Sequence, residues 1–247
     1  MDKLLYVAMS GAKETMRAQA ANTHNLANAS TTGFKADLSA FQSRAVTGPG
    51  YASRVYATDQ TVGWDHGVGS IQQTGNPLDV AIHGQGFLAV QDVTGNEAYT
   101  RAGDLHVDPT GQLLTATGLP VMGDNGPISV PPHTSVAVGS DGTISIVPLG
   151  QAPNTVSIVG RIKLVNPSLD TIQRSNDGLF RTISGQPAEA DAATTVDSGS
   201  LESSNVDLAS CMVNMIELSR RFDLQIKALH TADEDGQASA KLLQSSG

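Results

Sequence analysis

Three groups of residues in this 247-residue chain have types and spacings that could do chemistry. Ser10-Gly-Ala-Lys13 matches the Ser-x-x-Lys spacing of an acyl-transfer nucleophile and its base, but no Ser-Asp-Asn or Lys-Thr-Gly partner follows. It reads as chance on an amphipathic helix. Gly84-Gln-Gly86 follows a strand, as a phosphate-cradling loop would. A second strand rather than a helix comes next, so no helix N-terminus is offered to a phosphate, and a hairpin turn is expected. Asp104, His106 and Asp108 alternate and would share one strand face, a candidate cation cluster. Pro109 stands where a calcium loop needs Gly, which favours a solvated strand face. The six His residues show no His-Glu-x-x-His spacing, and there is no Gly-x-Ser-x-Gly elbow. The single cysteine, Cys211, excludes an internal disulfide and lies on an apolar helix seam as a small buried hydrophobe. The residues therefore assign no catalytic, cofactor-binding or metal position, and neither an enzyme nor a cofactor is expected.

The elements that would position such groups are of two kinds. The chain ends carry helical seams. Leu5, Met9, Ala12, Met16, Gln19, Thr23 and Leu26 step by four and three in alternation. Leu208, Cys211, Met215, Leu218, Phe222, Gln225, Leu229 and Ala232 do the same. A 3.5-residue repeat is the seam of a coiled coil. The spacing predicts a first helix from Lys3 to Ala29, ended by Ser30-Thr-Thr-Gly33. The last helix begins at Ser204-Asn-Val-Asp207, close to a capping box, and Gly236 weakens its end. Its apolar arc covers about 160°, with Val213 and Leu224 on the far side, so one neighbour would not cover it. Polar seam members Gln19, Thr23 and Gln225 predict a weak isolated pair that orders fully only among other subunits.

Between the helices, strand and turn signals dominate. Leu78–Ile82 alternates and Phe87–Gln91 is apolar. Val93-Thr-Gly-Asn96, Asp108-Pro-Thr-Gly111, Ser140-Asp-Gly142 and Asn176-Asp-Gly178 are turn sequences. The predicted fold class is α+β. Long N- and C-terminal helices form a coiled-coil-like domain (1–33 and 203–247), and a central antiparallel β-rich domain covers 78–183. Extended connectors, 34–77 and 184–202, join them. With 4% aromatic residues, the core must be built from Val, Ile, Leu and Ala.

A formal charge of −9 argues against a nucleic-acid partner and disfavours anionic membranes. The N-terminal MDKLLYVAMSGAKETMR lacks a continuous apolar h-region, and no later stretch reaches the ~18–20 apolar residues of a membrane span. No cleavable signal peptide and no direct membrane insertion are expected.

Asn22-Thr-His-Asn25-Leu-Ala-Asn28, followed by Thr31-Thr-Gly33-Phe34-Lys35, resembles the N-terminal signature of the bacterial flagellar rod and hook proteins. Thr74–Phe87 and Tyr99-Thr-Arg-Ala-Gly103 are similar to the central β domain of that family. Leu201-Glu-Ser-Ser-Asn-Val206, Met215-Ile216, Arg221-Phe222 and Lys227 resemble its C-terminal signature. Within the family, the length and Ser219-Arg-Arg-Phe222 look most like a proximal-rod member, with a distal-rod or hook member as the alternative. From another class, a soluble β-rich binding or hydrolytic domain with a dimerising coiled coil stays open.

The resemblance implies a structural subunit of the basal-body rod, exported unfolded through the flagellar type III apparatus without a cleavable signal. It would polymerise beneath a rod cap into a shaft across the periplasm. Implied partners are copies of itself, adjacent proximal-rod subunits, the distal-rod protein, the cap and the export apparatus. The implied assembly residues are Asn22, Asn25, Ala27, Asn28, Thr31, Gly33 and Phe34 at one end and Ser204, Asn205, Met215, Ile216 and Phe222 at the other. The apolar helix positions Leu5, Met9, Met16, Leu26, Leu208, Met212, Leu218, Ile226 and Leu229 join them. The three Asn residues, three apart on one helix face, can hydrogen-bond neighbouring backbones. Gly33 permits the turn out of the helix, and Phe34 would anchor that turn in an apolar pocket.

Overall fold

The computed structural model describes residues 2–45, 55–152, 154–175 and 177–245. They form two compact units. The terminal unit comprises Met1–Ala29, Ala36–Asp65 and Val206–Gly247; the central unit comprises Ser30–Lys35 and His66–Asn205.

The terminal unit holds two helices, α1 (Asp2–Ala27) and α2 (Leu208–Ser245), and an antiparallel hairpin of β1 (Asp37–Ala45) and β2 (Val55–Trp64). α1 packs against α2 and against both strands. The hairpin lies inside the segment that sequence patterning leaves as a connector. Leu38-Ser-Ala-Phe41 gives no clean alternation, and a register shift between Leu38 and Ser39 explains why.

The coiled-coil-like terminal domain expected from the seams does not form, although the α+β class stands. Met9 and Met16 of the α1 seam are 51% and 58% exposed. The buried stripe of α1 is instead Ala8, Ala12, Thr15, Ala18, Asn22 and Asn25. It too steps by three and four, so spacing alone could not separate the stripes. Small residues prevail in this stripe, and beside it the Gln225 side-chain amide of α2 lies close to α1. A Cβ on Gly11 would meet Gln225 Nε2 at 2.8 Å. On α2, Cys211, Leu218 and Ala232 are buried, while Leu208 is 47% exposed. The cap also shifts. Asp207, not Ser204, accepts the Ala209 amide at 3.0 Å, and the Cys211 amide closes the first turn on the Asp207 carbonyl. Gly236 leaves α2 uninterrupted.

The central unit is all β but for one short 3₁₀ turn among the described residues. In chain order it begins with β3 (Ile71–Gln73), β4 (Val80–His83), β5 (Phe87–Gln91), β6 (Glu97–Thr100), β7 (Leu105–Val107) and β8 (Leu113–Thr115). A five-stranded antiparallel sheet runs in the order Leu164–Val165, β5, β6, Phe180–Thr182, Ile172–Arg174. His133–Val138, Thr143–Pro148 and Ser157–Arg161 form a three-stranded sheet, and Thr195–Ser198 and Ser200–Glu202 pair with β4 and β3. Val80, Ile82, Leu88, Leu113, Val121, Ile144, Ile162 and Val196 lie in one core cluster. The turns at Gly95, Gly111 and Gly142 each close a hairpin; Asp92 and Asp108 start the first two and accept amides across the turn, and Asp141, just before Gly142, accepts the Thr143 amide.

Gly84-Gln-Gly86 is not a hairpin turn. β4 pairs with Thr195–Ser198 and β5 with β6, so the segment carries the chain from one sheet to another. Gly86, at φ +134, also lies where a Cβ would meet Thr194 Cγ2 at 2.8 Å.

Candidate assembly surfaces

In the terminal unit, all three signature asparagines bind backbone of the chain itself, two of them on another element and one within its own helix. Asn22 Nδ2 donates to the Cys211 carbonyl of α2 at 2.8 Å, both groups buried. Asn25 clamps Asp37 at two points: Nδ2 donates to the Asp37 carbonyl at 2.9 Å, and Oδ1 accepts the Asp37 amide at 2.8 Å. It offers the first residue of β1 what a neighbouring strand would offer. His24 Nδ1 lies 2.7 Å from Asp37 Oδ2. Asn28 Nδ2 turns back to the His24 carbonyl at 2.9 Å, within the last turn of α1. An open groove of about 360 Å³ beside the clamp is lined by Asn22, Asn25, Leu38, Phe41, Leu218 and Arg221 among others.

The apolar candidates divide by exposure. Met9, Met16, Ala27, Leu208, Met212 and Ile216 are exposed, as are Tyr6, Val213 and Leu224. Leu5, Leu26, Met215, Phe222, Ile226 and Leu229 are half-buried, and Leu218 is buried. Cys211 is buried, and that burial, helped by the charge of Asp207, pushes its thiol pKa up. The thiol is therefore poorly activated. Lys13 of the Ser-x-x-Lys spacing is exposed on α1.

The central unit gathers Lys35 and Arg101, each from a quoted signature, around one buried carboxylate. Glu202 Oε1 accepts Lys35 Nζ at 2.7 Å and the Gly69 amide at 2.8 Å, and Oε2 accepts Arg101 Nε at 2.7 Å. All three charged side chains are 1–3% exposed. Arg101 also donates to the Gly86 and Gly84 carbonyls at 2.8 and 3.0 Å, and Lys35 to the Gly67 carbonyl at 2.7 Å. A buried charge persists only when paired and fully hydrogen-bonded, as here.

Gly33 beside it has φ +66, and a Cβ there would sit 2.3 Å from the Arg101 carbonyl carbon. No other residue fits. Phe34 is buried, but its pocket is not purely apolar. The Arg174 guanidinium lies 4.4 Å over the ring and donates to the Lys35 carbonyl at 2.8 Å. The Asn205 amide donates to the Phe34 carbonyl at 3.2 Å; Ser204 is buried and Thr31 exposed.

Sequence reasoning gave no role to Lys35, Arg101 or Glu202, although each lies in a quoted signature. The available signal was a lone charge in a run of small residues at a strand end. Asp108, of the suggested cation cluster, directs its carboxylate to Thr110 and to the amides of Thr110 and Gln112, which hold its pKa down. Among the described residues, no group of three or more His, Cys, Asp or Glu is placed to hold a metal ion.

Three family models match the chain. "Flagella basal body rod protein" covers residues 5–35, "Flagellar hook protein FlgE/F/G D1 domain" residues 81–146, and "Flagellar basal body rod FlgEFG protein C-terminal" residues 197–243. The flagellar basal-body rod protein FlgF of Salmonella typhimurium is 44% identical over 252 residues, covering 100% of both chains. FlgF of Escherichia coli is 42% identical with the same coverage. FlgG of Bacillus subtilis is 31% identical over 257 residues, covering 95% of this chain and 96% of its own.

Proposed function

This chain belongs to the flagellar basal-body rod protein family, and we propose that its terminal unit is the part that builds a polymer. It is a structural rod subunit of the FlgF type, not an enzyme, and it resides in the flagellar basal body with other rod components. Within that frame, the assembly residues are the exposed apolar positions of α1 and α2, which neighbouring subunits cover. Those neighbours are further copies of the chain, adjacent proximal-rod subunits and FlgG. A head-to-tail interface that does not close on itself yields a helical tube, which transmits torque as a shaft across the periplasm. Subunits reach the growing end beneath a rod cap through the flagellar type III export apparatus.

One observation carries this reading. Tyr6, Met9, Met16, Leu208, Met212, Val213, Ile216 and Leu224, all on two helices, are each 47–63% exposed. Exposed apolar side chains concentrated in this way mark interaction surfaces. Deleting residues 1–29 is expected to abolish rod assembly and swimming while the central unit still folds. A deletion strain that swims normally defeats the proposal. Labelling the subunit along isolated basal bodies separates a proximal from a distal position.

A further inference from the structure

Among the described residues, one buried side-chain oxygen has no hydrogen-bond partner: Oδ1 of Asp104. Asp104 precedes β7, and its backbone bridges that of Asp79, just before β4, in antiparallel register. Residues opposite each other in such a bridge put their side chains on one face, with Cβ atoms about 4.5–5.5 Å apart. Two carboxyl groups therefore face each other. They are not equivalent. Asp79 is 8% exposed and has both oxygens satisfied, Oδ2 by Thr74 Oγ1 at 2.6 Å and Oδ1 by Asn76 Nδ2 at 2.8 Å. Asp104 Oδ1 has nothing equivalent.

The largest influence on the Asp104 carboxyl is burial, which raises its pKa. Its own amide opposes this, the charge of Asp79 adds to it, and His106, exposed on β7, opposes it. Asp197, on the strand paired with β4, stands opposite Ala81 and is exposed.

We propose that Asp79 and Asp104 form a carboxyl–carboxylate pair that holds one proton, a proton-dependent clasp within the central unit. With its proton, Asp104 becomes a donor and gives its O–H to the Asp79 carboxylate. One proton is taken from water as the clasp closes and returned as it opens. The clasp joins two tied-down stretches. On one side, the Thr74 amide donates to Gly199 and the Gly199 amide to Asp79, both at 2.8 Å. On the other, the Val80 amide donates to Gly103 at 2.9 Å, next to the residues that deliver Arg101 to Glu202.

A carboxyl that prefers its proton in the folded chain stabilises the fold fully below its unfolded pKa, near 3.9. That contribution is lost as the pH rises through the raised folded value. The central unit is thus tighter in mild acid than at neutrality.

The test uses the full chain. Urea midpoints are measured from pH 4.5 to 8 for the unaltered protein and for Asp104→Asn. The variant is expected to have the higher midpoint at pH 8, with the gap closing toward pH 4.5. A gap of equal size at every pH, or a variant weaker at pH 8, overturns the clasp. Should Asp104→Asn not fold, carboxyl ¹³C titration of Asp104 in the unaltered chain decides. A midpoint above about 3.9 is expected, and one at or below it refutes the proposal. Asp79→Asn is expected to lower that midpoint, and an unmoved midpoint removes Asp79 from the device and overturns the pair.

Discussion

In the central unit Val80, Leu88, Leu113, Val121 and Ile144 are fully buried, whereas in the terminal unit Met9, Met16, Val213, Ile216 and Leu224 are each more than half exposed. The polar residues differ in the same sense. The central unit encloses a lysine, an arginine and a glutamate that satisfy one another. The terminal unit fastens its helices with neutral amides and small side chains, leaving its larger apolar groups outside. The central unit closes its ion pairs and its aliphatic core within itself, although Val93, Leu149, Val156 and Ile158 on its surface stay exposed. The other has the internal ties that fix its shape and lacks the cover that would bury its surface. Stability and assembly are therefore separable in this chain, and substitutions can test the separation.

The strongest test falls on the central unit. Glu202→Ala leaves Lys35 and Arg101 buried without an acid and is expected to cost about 3–5 kcal/mol, read as a lowered urea midpoint for the central unit. A loss below about 1 kcal/mol would mean that water or other groups readily replace the carboxylate. Next is the clamp in the other unit. Asn25→Ala removes both hydrogen bonds to Asp37 and is expected to cost about 1–3 kcal/mol, with faster exchange of the Asp37 amide. Unchanged exchange would show that β1 does not depend on α1 for its first pairing.

The smallest effect on stability should come from Ile216→Ser with Leu224→Ser. Exposed substitutions of this kind stay within about 0.5 kcal/mol of the parent chain. Rods should nevertheless fail to assemble. Normal rods, or a markedly destabilised monomer, would erase the distinction between the units.

What sequence patterning could see follows the range of the interactions. Asp108-Pro-Thr-Gly111 announces its turn because the side chain of Asp108 and the amides it accepts lie within four residues. The aliphatic core was legible for a similar reason: apolar runs broken by such turns have few other arrangements. In α1 two stripes carried the same three-and-four spacing, and which one is buried depends on α2 and the hairpin strands that pack on it, elements distant in sequence or hidden from patterning. The hairpin of β1 and β2 was hidden by its register shift, and the exit of Gly84-Gln-Gly86 to a second sheet by pairings made elsewhere. The Glu202 cluster was least accessible. Its members look like isolated surface charges until the fold brings them together.

The order in which those members occur along the chain has a kinetic consequence. Lys35 and Arg101 precede their shared acid by 167 and 101 residues. Until Glu202 has been synthesised, burying either cation would leave it without a counter-ion. Such distant contacts are slow to form because the intervening loop must close first. The N-terminal four-fifths of the chain thus lacks the group that makes its own interior habitable, and early collapse of a nascent chain is disfavoured until Glu202 is present.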